Sequence, residues 1–144
     1  MGFSEFPSVP ARYRIAATVA LPVSLAVMRA GPRSARMGRM VRLVRAWRGG
    51  GRMATLPEAE NAVHAVRRLG LFSPVRVACL EESVAVVVAL ALLGKRVRWH
   101  HGVITDPIRL HAWVEAEGLP VAEPESTRRC TALLTITPTS EENT

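Results

Sequence analysis

Residues 79–94 read CLEESVAVVVALALLG, a nearly unbroken apolar run with two acids near its start and a glycine at its end. Periodicity alone does not separate a buried helix from a buried strand here, and the valines favour a strand. Length decides for helix, because the run exceeds the roughly 4–8 residues of an ordinary strand. Glu81 and Glu82 in a first turn complement the positive end of a helix dipole, and Gly94 is a suitable stop. A helix apolar all round belongs in the middle of a fold. The run therefore predicts a central buried helix with Cys79 at its N-terminus.

Working back from it, residues 71–77 form a loop containing Pro74. Thr55 opens another helix, with Pro57 in the first turn and Glu58 completing a capping box. Ala59, Ala62, Val63, Val66 and Leu69 give that helix its buried stripe, and Gly70 stops it. Further back, Ser34 is a candidate cap for a helix running to about Trp47, with Met37, Met40, Val41, Val44 and Trp47 on one face. Arginine recurs at every third position from Arg33 to Arg48, which spreads charge around the polar surface. Gly49, Gly50 and Gly51 form a flexible joint.

Residues 11–30 form an apolar helix, stopped by Gly31 and Pro32, behind a loose arm at 1–10. Its run from Ile15 to Met28 is short of the ~20 residues that span a bilayer, and Pro22 interrupts it. No positive charge precedes Arg12 and no clean cleavage site follows, so it does not read as a secretory signal. It is expected to be buried or to face a partner; a weak membrane contact, with Arg12, Arg14 and Arg29 flanking the run, is the alternative.

After Gly94 the pattern changes to strands, at 96–103, 109–116, 119–123 and 131–137, before Pro138 and a polar tail. The fold class expected is α+β: N-terminal helices, then a central helix packed on a small antiparallel sheet. The length of 144 residues fits one compact domain, and with 49% hydrophobic but only 5% aromatic residues its core must be aliphatic.

Cys79 and Cys130 are the only cysteines, and they have neither CxxC spacing nor a dense framework. That argues against a disulfide scaffold or structural zinc site and suits a reducing compartment, the cytoplasm. A Cys79–Cys130 disulfide is the alternative. His100 and His101 are adjacent on a strand and point to opposite faces, so no metal site is expected from them. No Gly-rich phosphate loop is present, so no nucleotide or other cofactor is expected. The net charge is +7, and ten arginines precede residue 53 against one acid, Glu5. Such a surface suits docking of a partner or substrate. Too few aromatics accompany it for a nucleic-acid stacking platform.

The candidate chemistry begins with Cys79. At a helix start, free backbone N–H groups and the dipole favour a thiolate, the nucleophilic form. One of those N–H groups can also receive an oxyanion. No Gln or Asn between Leu71 and Cys79 offers a side chain for that task. The motif Leu110-His111-Ala112-Trp113-Val114-Glu115 puts His111, Trp113 and Glu115 on one strand face. His111 is the candidate base, and Trp113 the candidate substrate contact. A base needs an orienting partner for its second nitrogen. With a three-residue loop Ala116-Glu117-Gly118, Glu115 lies opposite Leu119 and His111 opposite Glu123. Glu123 is then the third member. A two-residue loop breaks that pairing, leaving Asp106 and Glu115 as the other candidates.

The string Ala78-Cys79-Leu80-Glu81-Glu82-Ser83, followed by His111-Ala112-Trp113-Val114-Glu115, resembles the lasso-peptide leader peptidases. These are the stand-alone protease half of the split B protein, similar to transglutaminase-like, papain-type cysteine peptidases. The resemblance covers roughly residues 55–137. It implies a papain/transglutaminase-like core with a Cys-His-acid triad at Cys79, His111 and the acid after the hairpin, where the family usually has Asp and this chain has Glu123. It implies as substrate the leader of a ribosomally made precursor peptide. The implied partners are a separate leader-recognition protein and a cyclase that closes the ring afterwards. The organisation expected is an Arg-rich helical region at 1–54, a cysteine-peptidase core at 55–138 and a flexible tail at 139–144. An acyltransferase with the same triad and a non-catalytic basic binding module are the alternatives.

Overall fold

The structure is a computed structural model that describes residues 8–47, 51–105, 108–124, 127 and 130–138. Among the described residues four α-helices come in order: α1 (Ala11–Arg29), α2 (Arg36–Trp47), α3 (Leu56–Gly70) and α4 (Cys79–Leu92). Strand β1 (Arg52–Met53) precedes α3. Strands β2 (Lys95–Arg96), β3 (Arg98–Ile104), β4 (Arg109–Ala116), β5 (Leu119–Pro120) and β6 (Thr131–Ile136) follow α4. The architecture is α+β: helices around α4, which packs on an antiparallel sheet of order β5-β4-β3-β6. The arm at 1–7, the glycines at 49–50 and the tail at 139–144 lie outside the described residues.

Helix α4 is central because its sequence leaves no polar face. From Val84 to Leu90 every side chain is buried. Ser83 is the exception that helps: its hydroxyl accepts from the buried Trp99 indole N–H at 3.0 Å, tying β3 to α4. Helix α3 starts as the capping box dictates. The Glu58 amide donates to Thr55 Oγ1 at 3.3 Å, and the Thr55 amide donates to Glu58 Oε1 at 2.9 Å.

Helix α1 has the length and apolarity of a membrane-crossing segment, yet Tyr13, Ala16, Ala17, Ala20, Leu21, Ser24 and Met28 are buried against α3 and α4. Residues from α1 and α2 share one hydrophobic core with α3, α4 and the sheet. Ser24 Oγ donates to the Glu81 carbonyl at 2.8 Å, fixing α1 against the start of α4. Pro22 leaves the Thr18 carbonyl without its helical donor, but Thr18 is exposed, so water can serve instead.

Three local expectations are corrected. Ser34 does not cap α2; it lies inside a 3-10 turn, Arg33–Ala35, that runs straight into the helix. The strand expected at 96–103 is split at Val97, because Lys95–Arg96 turns away to pair in parallel with Arg52–Met53. Glu58 braces that small pair through Arg52 and through Lys95 Nζ at 3.2 Å. The strand expected at 119–123 stops at Pro120, because Ala122 has φ +51. On the other edge of β3 a bulge falls between His101 and Gly102, where a Cβ at 102 would sit 2.4 Å from the Thr131 carbonyl oxygen.

The arginine row of α2 is not uniformly a solvated surface. Arg39 reaches back to the C-terminal end of α1 and donates to the carbonyls of Val27 (2.9 Å), Met28 (2.8 Å) and Pro32 (2.7 Å). A helix leaves its last carbonyls without intrahelical donors, and a cation there also matches the dipole. Arg39→Gln is therefore expected to destabilise the fold by about 1–3 kcal/mol, since charge-assisted hydrogen bonds to part-buried carbonyls are lost. Thermal denaturation reads this directly, and an unchanged midpoint would refute the clamp.

Candidate active site

Cys79 is the first residue of α4, after Ala78 in an extended conformation. Alanine has no side-chain acceptor, so only one half of a capping box exists: the Ala78 N–H donates to Glu81 Oε2 at 3.2 Å. The first helical bond is from the Glu82 N–H to the Ala78 carbonyl, at 3.0 Å. The amides of Cys79 and Leu80 have no acceptor among the described residues. Cys79 thus stands at a helix start whose first donors are unsatisfied.

The His111 imidazole and the Ala112 backbone N–H both act on the Cys79 thiol so as to favour its thiolate. The His111 contact is the main cause that lowers the thiol pKa; burial and the nearby Glu81 oppose it. His111 moves the other way, from 6.5 to about 9, through its bonds to Cys79 and then Glu123, against the cost of burial. Both shifts favour the same state, a thiolate beside an imidazolium.

Glu123 meets His111 by a route the strand pattern does not predict. The hairpin has a two-residue loop, Glu117 and Gly118, with φ of +54° and +76°. These left-handed values suit the type I′ turn that matches strand twist. Ala116 pairs with Leu119 and Glu115 with Pro120, so the expected three-residue loop and its register are wrong. Continued pairing would put Pro124 opposite His111. Instead the strand ends, and the left-handed Ala122 redirects the chain so that Glu123 Oε2 lies 2.9 Å from His111 Nε2. That leaves Nδ1 for the thiol. A non-glycine residue at positive φ costs of order 1–3 kcal/mol and persists only where its surroundings impose it.

Those surroundings centre on Arg67, in the last turn of α3. Its Nη1 donates to the Ala122 carbonyl at 2.7 Å, its Nε to Glu82 Oε1 at 2.6 Å, and its Nη2 lies 3.5 Å from Glu123 Oε1. Thr127, itself buried, donates its hydroxyl to Glu123 Oε2 at 3.2 Å. The carboxylate is thereby held on both oxygens. Sequence reasoning missed Arg67 and Thr127, and neither sits in a motif or at a diagnostic spacing.

The other candidates fall elsewhere. Glu115 Oε2 lies 3.4 Å from both Arg98 Nη1 and His100 Nε2, and makes no contact with His111. Asp106 lies outside the described residues. Trp113 is only 6% exposed, with its ring nearly parallel to those of His111 (centroids 5.7 Å apart) and His100 (5.2 Å). It packs beside the imidazole and leaves little surface for a substrate. His100 and His101 diverge: His100 Nδ1 is 2.9 Å from Thr135 Oγ1, whereas His101 stacks on Trp99. Among the described residues no three His, Cys, Asp or Glu side chains converge as a metal site. Both cysteines are free thiols, and burial with the charge of Glu123 raises the pKa of Cys130.

The arrangement can form a nucleophilic thiolate, move a proton through an oriented imidazole and place helix-start amides near a developing oxyanion. The sequence model of a family described as the Transglutaminase-like superfamily matches residues 14–135, so the match includes α1 and α2 as well as the site. No curated protein and no solved structure matches the chain significantly. The superfamily comprises cysteine peptidases and acyl-transferring enzymes. With 122 of its 144 residues inside that match, this chain belongs to the transglutaminase-like superfamily.

Proposed function

We propose that the chain is a cysteine peptidase that removes the leader segment from a ribosomally made lasso-peptide precursor. The observation that carries the peptidase reading is the continuous line Cys79–His111–Glu123, with opposite pKa shifts on thiol and imidazole. The Cys79 thiolate attacks the scissile carbonyl and forms an S–C bond. The oxyanion is received by the amides at the start of α4. His111, as imidazolium, gives its Nδ1 proton to the leaving amine as the C–N bond breaks. Water then attacks the thioester, with neutral His111 taking its proton, and the acid product leaves as the S–C bond breaks and returns the Cys79 thiolate beside the His111 imidazolium. Glu123 keeps Nε2–H pointed at itself throughout.

The leader-peptide assignment is supported by the paired motifs around Cys79 and His111. It brings with it a separate recognition protein that presents the leader and a cyclase that acts afterwards. The discriminating experiment is incubation of the chain with a precursor peptide and its recognition protein, read by mass spectrometry. Two fragments whose masses sum to the precursor plus one water support hydrolysis. A fragment extended by an added amine makes the enzyme an acyltransferase, and an intact precursor refutes the leader-peptidase reading.

The pKa shifts also set a pH dependence. A depressed thiol pKa means that the thiolate persists below the ordinary value of 9.0 and is lost as pH falls through the lowered one. Protonated His111 is lost as pH rises through about 9. Alkylation of Cys79 by iodoacetamide is therefore expected to show an acid limb only, with its midpoint below the ordinary thiol value. Cleavage needs the imidazolium as well, so it is expected to decline above about pH 9 while alkylation does not. Coincident alkaline limbs would contradict this assignment of acid and nucleophile.

A further inference from the structure

A groove of about 670 Å³ lies between the end of α3 and the loop that leads into α4. Arg67 and Glu82 both line it, and Arg67 also contacts Glu123, so one end of the groove adjoins the Cys79–His111–Glu123 line. Its other lining residues include Leu71, Pro74, Val75 and Val77. Leu71 is 64% exposed and Val75 38%, an arrangement that leaves aliphatic surface in water along the groove. Val77 is only two residues before Cys79.

Two further features say what kind of molecule fits. Arg76 and Val77 make no backbone hydrogen bond among the described residues, and the following Ala78 is extended. Backbone donors and acceptors left open along an irregular segment are what an added strand of peptide pairs with. The charge on the groove is also one-sided. Glu82 is neutralised by Arg67 at 2.6 Å, whereas no carboxylate among the described residues pairs with Arg76. The groove thus presents aliphatic walls, an unpaired stretch of main chain and a free cation.

We propose that this groove is the substrate cleft of the site. It takes an extended peptide segment adjoining the scissile bond, with an aliphatic side chain against Leu71 and Val75 and an acidic side chain at Arg76. The proposal rests on the peptidase reading for its purpose, but its test does not depend on cleavage.

The test uses the full chain carrying Cys79→Ala, labelled with ¹⁵N. It is titrated with two end-blocked peptides that differ at one residue and carry opposite charge, acetyl-Ala-Leu-Glu-Ala-amide and acetyl-Ala-Leu-Lys-Ala-amide. Amide shifts are expected at Leu71, Ser73, Val75, Arg76 and Val77. The acidic peptide is expected to bind at least about threefold more tightly at low salt, because one exposed ion pair replaces a like-charge contact, and the difference is expected to shrink as salt is added. Arg76→Glu is expected to invert the preference; Arg76 is exposed, so the amide spectrum should otherwise be retained. Shifts confined to another surface, no binding at millimolar peptide, or a preference unchanged by Arg76→Glu would overturn the proposal. If the wild-type chain cleaves a precursor while these peptides miss the groove, the cleft assignment alone fails. If the groove binds acidic peptides and no precursor is cleaved, the peptidase reading alone fails.

Discussion

Cys79→Ala is expected to abolish precursor cleavage, by at least about 10⁴-fold in single-turnover rate, while the protein stays folded. Removing the nucleophile of a triad costs nearly as much as removing the whole triad, because the members act as a unit. The fold should tolerate the change. Cys79 is only partly buried at the start of α4, and the helix is held by Val84–Leu90, Ser83 and Ser24. A second readout is independent of substrate. His111 is raised to about 9 chiefly by the thiol and secondly by Glu123, so its pKa should fall in the variant and yet remain raised. Proton NMR of the His111 ring across pH measures this. Cys130→Ala is the control, since burial and Glu123 disfavour its thiolate. Cleavage surviving Cys79→Ala would end the peptidase reading.

Glu123→Gln is expected to reduce single-turnover cleavage by roughly 10–1000-fold. In a serine triad the loss of the orienting acid costs up to about 10⁴. A thiol is the stronger acid and forms its ion pair with imidazole more readily, so the penalty here is smaller. The change keeps the shape of the side chain while removing the charge held between His111 Nε2 at 2.9 Å and Arg67 Nη2 at 3.5 Å. The His111 pKa should drop as well, because the Glu123 hydrogen bond is the second-largest cause of its rise. Glu115→Gln is expected to leave the rate within a few-fold, because Glu115 faces Arg98 and His100 instead. Asp106→Asn completes the comparison. A wild-type rate for Glu123→Gln, with collapse in either of the others, would place the third member elsewhere.

Several parts of the fold are legible in sequence because their causes are local. The start of α3 follows from Thr55, Pro57 and Glu58 within one turn. The placement of Cys79 at a helix start follows from a run too long for a strand, with acids in its first turn. Strand β4 carries His111 where alternation and the flanking turn residues put it. Each of these depends on neighbours a few residues away, so composition and spacing carry the information.

The way Glu123 reaches the imidazole is different. The turn residues are compatible with more than one loop length, and a shift of one residue moves every later side chain to the other face. The strand pattern led to Glu123 through a register that the structure does not have. What brings it to His111 is the left-handed Ala122, held by Arg67 from a helix 55 residues away and matched by the Thr127 hydroxyl. The same holds for Arg39 on the end of α1, for the parallel pairing of β1 with β2, and for the packing of α1 against α4. By itself the sequence determined the four helices, the strand that carries His111 and the candidate residues Cys79, His111 and Glu123. The tertiary structure decided how the acid and its supports meet the imidazole. Those contacts join segments distant in the chain, and their geometry is set by which alternative buries the core and pairs the buried charges together.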